Sequence, residues 1–361
     1  QYVAQLLTSL IVQQVRSALL VPVLNFNNMK KVPVILFLLL CIFNFSVSAT
    51  ELTLDERYKA AALIEVSDIY AAFPLYQELV VQGHTEAKVR LAAMLFRGLG
   101  DKGTKEEKFQ QALKLLHEAA DKGSIKAYYA LSVMYHDGDS LTPNAELGMS
   151  WLLKAAEAGE PRGQSQLASL YRNGIIVAKD VNKALYWYKE AIKNDSDSAR
   201  YNLANLYLDG LDGVTKNTDT AIGLYLTAAK QGHDDSKVAL GGIYYSDKYG
   251  QKNEQQAFYW MNDAASNGNS YGKTGLASCY RYGVGTDIDY KKALSLYQYS
   301  ADFNNDPTSR YRLAEMHMLG LGTKVDLKKA REIFLQLSQE GYADGTTAVA
   351  QVDKLIAKGV E

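Results

Sequence analysis

Apolar and small residues recur along this chain with two nested periods. The inner one is helical. With Ala127 to Gly138 numbered 1 to 12, positions 1, 5, 8 and 9 (Ala127, Leu131, Met134, Tyr135) are small or apolar. That is the i, i+4, i+7, i+8 stripe of an amphipathic helix. Ala184, Trp187, Tyr188 and Ala191 repeat the spacing in a second helix. The outer period is longer. LAAMLFRG (91–98) returns as LSVMYHDG (131–138), LASLYRNG (167–174), LANLYLDG (203–210), LGGIYYSD (240–247), LASCYRYG (276–283) and LAEMHMLG (313–320). Each is followed by a second pattern of the ALYWYKEAIKND kind, and these end at 123, 159, 195, 232, 268, 304 and 341, so the period is 36 or 37 residues. Chance similarity does not hold phase this long, and a fixed period of this size signals a repeat architecture.

Each unit predicts two helices. Gly98, Gly138, Gly174, Gly210, Gly283 and Gly320 fall where a first helix takes its left-handed cap. Asp247 takes that place once, and Asp195 and Asn304 end second helices where glycine otherwise stands. Paired alanines (Ala119-Ala120, Ala155-Ala156, Ala228-Ala229, Ala264-Ala265) allow close helix approach. One such pair cannot bury its apolar face alone, so neighbouring units must stack.

The small-residue start, Leu-Ala, Tyr and Gly of the first helix, followed by Lys-Ala, Trp-Tyr and Ala-Ala-x-x-Gly of the second, resemble the Sel-one-like repeat family, a relative of tetratricopeptide repeats. The resemblance spans residues 87–341. It implies an all-α fold: a right-handed α/α solenoid, or superhelix, of about seven to eight helix-pair repeats. The expected repeats lie near 55–83 (a degenerate leading pair), 87–123, 127–159, 163–195, 199–232, 236–268, 272–304 and 309–341, with a capping helix at 343–358. Small length changes near 100–105 and at Asp212-Gly213 mark variable loops.

The N-terminal segment breaks this pattern. Met29-Lys30-Lys31 precedes an apolar run from Val32 to Phe45 and the small-x-small ending Val47-Ser48-Ala49. This is the layout of a secretory signal peptide, and the run is short for a bilayer span. The expectation is a signal at 29–49 cleaved after Ala49, a periplasmic or secreted protein, and one solenoid over 50–361. A retained anchor and a lipoprotein at Cys41 are the weaker readings. Residues 1–28 read as translation upstream of the true start, or as an extension.

Composition sharpens the picture only modestly. The 361 residues carry 39 Lys+Arg against 40 Asp+Glu, which gives no sign of a nucleic-acid surface. Without residues 1–49 the counts become 36 and 40, a net charge of −4. Only Cys279 then remains, so no internal disulfide forms. Gly98, Gly100 and Gly103 match G-x-G-x-x-G, but a helix precedes them where a dinucleotide site needs a strand. His117-Glu118-Ala119-Ala120-Asp121 lacks the second histidine of a zinc-protease helix. The five histidines have no ligand spacing, Cys279 replaces core residues of sister repeats, and Trp151, Trp187 and Trp260 align with leucine or isoleucine. The expectation is a non-enzymatic protein without cofactor or metal.

What stands out against the repeat is one face of the first helices. Positions 4, 7 and 11 lie three and four residues apart and therefore side by side. They read Arg90, Ala93, Arg97; Ala130, Val133, Asp137; Gln166, Ser169, Asn173; Asn202, Asn205, Asp209; Ala239, Gly242, Ser246; Gly275, Ser278, Tyr282; Arg312, Glu315, Leu319. In tetratricopeptide-like solenoids this face lines the concave surface. Small and amide side chains there leave room for an extended peptide and bond its backbone. Tyr129, Tyr201 and Tyr311 at position 3, with Tyr245 at position 10, flank it as anchors. The candidate partner-binding residues are Arg90, Arg97, Tyr129, Gln166, Ser169, Asn173, Tyr201, Asn202, Asn205, Asp209, Tyr245 and Arg312. The competing reading is a merely solvated face with its tyrosines packed between repeats. The functional expectation is a monomeric exported scaffold or adaptor that binds a protein or peptide and no nucleic acid, with no membrane span after cleavage. A modulator of cell-wall metabolism that binds a peptidoglycan enzyme or glycan is the first alternative. A hydrolase of the cysteine-rich relatives' kind is the second, and those relatives carry a cysteine pair per repeat that this chain lacks.

Overall fold

A computed structural model describes residues 52–100, 103–136, 144–210 and 213–359. The expected signal segment, residues 1–28, Asp137 and Gly138 lie outside the described residues. The described chain is all helix, apart from turns and loops. The helices are α1 (Leu54–Ser67), α2 (Ile69–Val81), α3 (Thr85–Phe96), α4 (Lys105–Ala120), α5 (Ile125–His136), α6 (Ala145–Glu157), α7 (Pro161–Asn173), α8 (Val181–Lys193), α9 (Asp197–Asp209), α10 (Thr218–Lys230), α11 (Asp234–Tyr245), α12 (Glu254–Ser266), α13 (Ser270–Tyr282), α14 (Tyr290–Asn304), α15 (Pro307–Leu319), α16 (Leu327–Gln339) and α17 (Gly345–Ala357). They form successive helix pairs of a repeat solenoid. Two compact units divide at Glu160/Pro161. The first holds the pairs α1–α2, α3–α4 and α5–α6. The second holds α7–α8 through α15–α16, and α17.

Three contacts recur and explain why each pair closes. The first is at the start of the second helices. Asn144, Asp180, Asn217, Asn253, Asp289 and Asp326 each use a side-chain oxygen to cap the following helix. Each also donates its own N–H to the carbonyl of the position-9 residue of the first helix: Tyr135, Tyr171, Tyr207, Tyr244, Tyr280 or His317. One Asx residue thus satisfies an orphan helix donor and fixes the loop.

The second is the close approach of helices. Position 1 is always small, and Ala87, Ala127, Ala199, Ser236, Gly272 and Ser309 are buried. A Cβ added at Gly272 would meet Ala264 Cβ at 2.7 Å, so α13 rests directly on the alanine pair of α12.

The third is a clamp from position 2 of the first helix to the last turn of the second. Arg57 reaches Glu78 at 2.6 Å and Gln82 at 2.7 Å. Lys88 pairs with Glu118. Arg200 reaches Gln231 at 2.8 Å, Lys237 reaches Asp263 at 3.1 Å, and Arg310 reaches Glu340 at 2.6 Å. Gln164 accepts from Asn194 at 3.0 Å and Lys273 covers the Tyr299 ring at 3.4 Å, whereas Tyr128 departs from the clamp and stacks on Trp151 in mid-helix. A cation here also faces the negative end of the helix dipole. The hydrogen bonds from Lys88 and Arg310 hold the Glu118 and Glu340 carboxyls below the usual range. The leading pair α1–α2 carries the same clamp as the regular repeats.

The glycine caps behave as expected where described, for example Gly210 at φ 66° and Gly320 at φ 65°. Two cap assignments need correction. Asp247 does not take a left-handed conformation. It opens a short 3-10 turn, Asp247–Tyr249, whose left-handed residue is Gly250. Asn304 stays inside α14, and Asn305 carries the positive φ of 48° one residue later. Asp195 does take the predicted conformation, at φ 60°.

Candidate protein-binding face of the first helices

The face begins in the pairing of position 7 with a second-helix residue seven before the repeat end. Where that residue is tyrosine, position 7 is polar. The Tyr188 hydroxyl lies 2.9 Å from Ser169 Oγ, and the Tyr297 hydroxyl 2.7 Å from Ser278 Oγ. The Tyr225 hydroxyl donates to Asn205 Oδ1 at 2.5 Å. Each serine gives its one proton to the carbonyl four residues back (Ser165 or Thr274), so the tyrosines are the donors. These tyrosines are fully buried, and burial pushes the Tyr297 hydroxyl up to about 12. Where the second-helix residue is Leu116, Leu152 or Met261, position 7 is Ala93, Val133 or Gly242. Ser169 and Asn205 are therefore engaged inside the protein, in the role of satisfying a buried hydroxyl.

The remaining candidates separate clearly. Tyr201 packs between the rings of Tyr225 and His233, with centroids at 5.8 and 5.4 Å, and Tyr311 does the same between Phe334 and Tyr342. Both rings pack within their own repeat. Tyr129 is half-buried, and its carbonyl accepts from Ser132. Asp209 accepts from the Tyr249 hydroxyl at 3.1 Å and pairs with Lys248 at 3.5 Å. Arg90 lies 3.8 Å from Glu65, which also accepts from the Tyr76 hydroxyl at 2.7 Å. Arg97 and Asn173 are exposed at the ends of α3 and α7. The room read at Gly275 is filled, because a Cβ there would collide with the Met261 thioether. Gly242 has nothing within 4 Å of an added Cβ.

Four candidates remain free to reach a partner, all in the second unit. Gln166 and Asn202 are half-buried at position 4, and among the described residues no side-chain hydrogen bond engages either amide. Tyr245 and Arg312 come together around a centre that the sequence reading only partly named. Glu315 sits at position 7 opposite Phe334, which has no hydroxyl to offer. Its Oε2 instead accepts from Arg281 at 2.7 Å and from Arg312 at 2.8 Å. Arg281 is buried under the half-exposed Tyr282 ring, 5.0 Å from its centroid. Burial works against the charge of Arg312, and its bond to Glu315 more than offsets that, leaving it raised. Burial also raises the Tyr245 hydroxyl, which feels both Arg281 and Arg312 and makes no hydrogen bond among the described residues. Arg281 occupies position 10, the same position as Tyr245, but it lacks the aromatic ring that marks the flanking anchors. The signal available was its basic side chain next to Tyr282.

Other residues offer less chemistry. Cys279 is fully buried, and burial pushes its thiol up to about 11, so it stays protonated at neutral pH. Among the described residues no group of His, Cys, Asp or Glu is placed to hold a metal ion, and no helix is long and apolar enough to cross a membrane. A surface pocket of about 430 Å³ between α14 and α16 is lined by Arg310, Gln336 and Glu340 of the clamp, with Gln298, Asn305 and Lys329.

Helix pairs closed by these contacts define a solenoid repeat protein. The Sel1 repeat pattern matches residues 85–124, 125–160, 161–196, 197–233, 235–269, 270–302 and 307–342, and the chain belongs to the Sel1 repeat family. A Sel1 repeat protein from Oxalobacter formigenes is 26% identical, with a TM-score of 0.58, covering 68% of this chain and 94% of its own. A protective antigen with an SLR fold, present in uropathogenic Escherichia coli strains, is 24% identical with a TM-score of 0.66. It covers 84% of this chain, which spans 65% of its length. The DAP3-binding cell death enhancer 1 of Rattus norvegicus is 30% identical over 87 residues, 24% of this chain and 17% of that protein. Seven Sel1 repeats form a fold commonly used as a protein-interaction scaffold.

Proposed function

We propose that the protein is a non-enzymatic, exported, monomeric scaffold that binds an extended segment of another protein along the first-helix face of its second unit. The observation that carries this is the contrast within one face. Ser169, Asn205 and Asp209 are satisfied internally, whereas the half-buried amides of Gln166 and Asn202 are not. A half-buried amide with no partner in the protein is open to one from outside, and an extended backbone supplies both donor and acceptor. The open space beside Gly242 gives such a strand room. Export rests on the signal-like pattern over residues 29–49.

The test is partner capture followed by competition. A protein captured by the wild type should be lost from a Gln166→Arg/Asn202→Arg double variant that melts at the wild-type temperature. Retention at equal affinity would contradict the face assignment. N-terminal sequencing of the expressed protein should begin at Thr50, and an intact residue 29–49 segment would contradict cleavage.

A further inference from the structure

The geometry points to a carboxylate-binding site at Arg312, Arg281 and Tyr245, which takes a glutamate or aspartate side chain of the bound segment. It rests on the reading of the first-helix face as the binding surface and names what that surface recognises at one end.

The argument is one of charge and donor count. Two guanidinium groups share a single carboxylate oxygen, Glu315 Oε2. The cluster therefore carries one positive charge that nothing in it neutralises. Arg281 is buried, and its pairing with Glu315 is structural. Arg312 keeps a side chain 39% exposed and gives Glu315 one of its five donors. A planar guanidinium with spare donors matches a second carboxylate in bidentate fashion. The Tyr245 hydroxyl, unbonded among the described residues, supplies a further donor at the same place, and burial keeps it a neutral donor at physiological pH against the opposing pull of Arg312 and Arg281. The half-exposed Tyr282 ring, stacked over Arg281, walls the site. The clamp arginines show what a closed account looks like, since Arg310 spends its donors on Asn305, Gln336 and Glu340.

The experiment uses the full chain and two labelled peptides, acetyl-(Gly-Glu)3-amide and acetyl-(Gly-Gln)3-amide, followed by fluorescence polarisation. The amidated end removes the terminal carboxylate, so any acid preference belongs to side chains. The wild type should bind the glutamate peptide at least tenfold more tightly than the glutamine peptide, with affinity falling as salt rises. Arg312→Gln should abolish that preference. Glu315→Gln removes the internal competitor but keeps an acceptor for Arg281, and should tighten the glutamate peptide severalfold. Thermal melts establish that each variant is folded. Equal binding of the two peptides by the wild type, or an undiminished preference in Arg312→Gln, would overturn the site. If both peptides bind equally and both are lost with Gln166→Arg/Asn202→Arg, the face stands and the carboxylate site falls. No binding of the glutamate peptide at millimolar concentration overturns the site as well.

Discussion

The two units each hold an arginine–glutamate–tyrosine cluster on the first-helix side, and the clusters are balanced differently. In the first unit Arg90 faces Glu65, and Glu65 also receives the hydroxyl of buried Tyr76. One cation meets one anion, and the buried Tyr76 hydroxyl is satisfied. In the second unit Arg281 and Arg312 meet Glu315 alone, and the hydroxyl of Tyr245 is left over. The local cause is one residue on the second helix. Tyr297 has Ser278 to bond, whereas Phe334 asks nothing of Glu315, so the carboxylate turns to the arginines. A closed cluster stabilises its fold; a cluster with one surplus charge has something to give a partner.

Four predictions press on this comparison. Glu315→Ala should be the most damaging, because it leaves buried Arg281 without its counter-ion. The loss should be about 3 kcal/mol in urea unfolding. Glu65→Ala strands the Tyr76 hydroxyl beside a half-exposed arginine and should cost about 1–2 kcal/mol. If the two losses are equal, the clusters do not differ as described. Next, Arg312→Gln should weaken acidic-peptide binding tenfold, about 1.4 kcal/mol, whereas Arg90→Gln should leave it unchanged. Tyr297→Phe removes one buried hydrogen bond and should cost about 1 kcal/mol, because Ser278 retains the Thr274 carbonyl.

The smallest effect concerns pH. His317 stands where five of six sister repeats have tyrosine; it is buried, and among the described residues neither ring nitrogen has a hydrogen-bond partner. Burial, with help from Lys329, lowers its pKa. The folded state therefore resists the proton that the unfolded chain accepts near pH 6.5. The contribution of this residue is fully present above that pH and lost as pH falls below it, with a slope of at most about 1.4 kcal/mol per unit. His317→Tyr should flatten the acid side of the stability profile, and an unchanged profile would remove His317 from the account.

The repeat period, the helix pairs and most caps were legible because they rest on local rules: helical spacing, small residues at contacts, and glycine at left-handed positions. Asp247 misled because a neighbouring glycine, Gly250, offered the turn an easier left-handed residue. The site was harder to read, since the use of a polar position depends on a partner helix away in sequence. Ser169 and Asn205 carry polar groups that the sequence leaves open, and Tyr188 and Tyr225 of the facing helices occupy them. The coupling was nonetheless present in the sequence, because tyrosine seven before a repeat end accompanies a polar residue at position 7 in the same repeat. That rule also singles out Glu315, the polar position 7 that faces no tyrosine. The position-2 clamp was hidden for the same reason, as its partners shift between the fifth and first residue before the repeat end.

Hydrogen exchange of the full chain, with and without acetyl-(Gly-Glu)3-amide, tests the central claim most directly. The expected result is slowed exchange confined to the first helices of the second unit, strongest in α13 and α15, with α1 and α3 unchanged. Protection centred on α1 and α3, or spread evenly over both units, would contradict it.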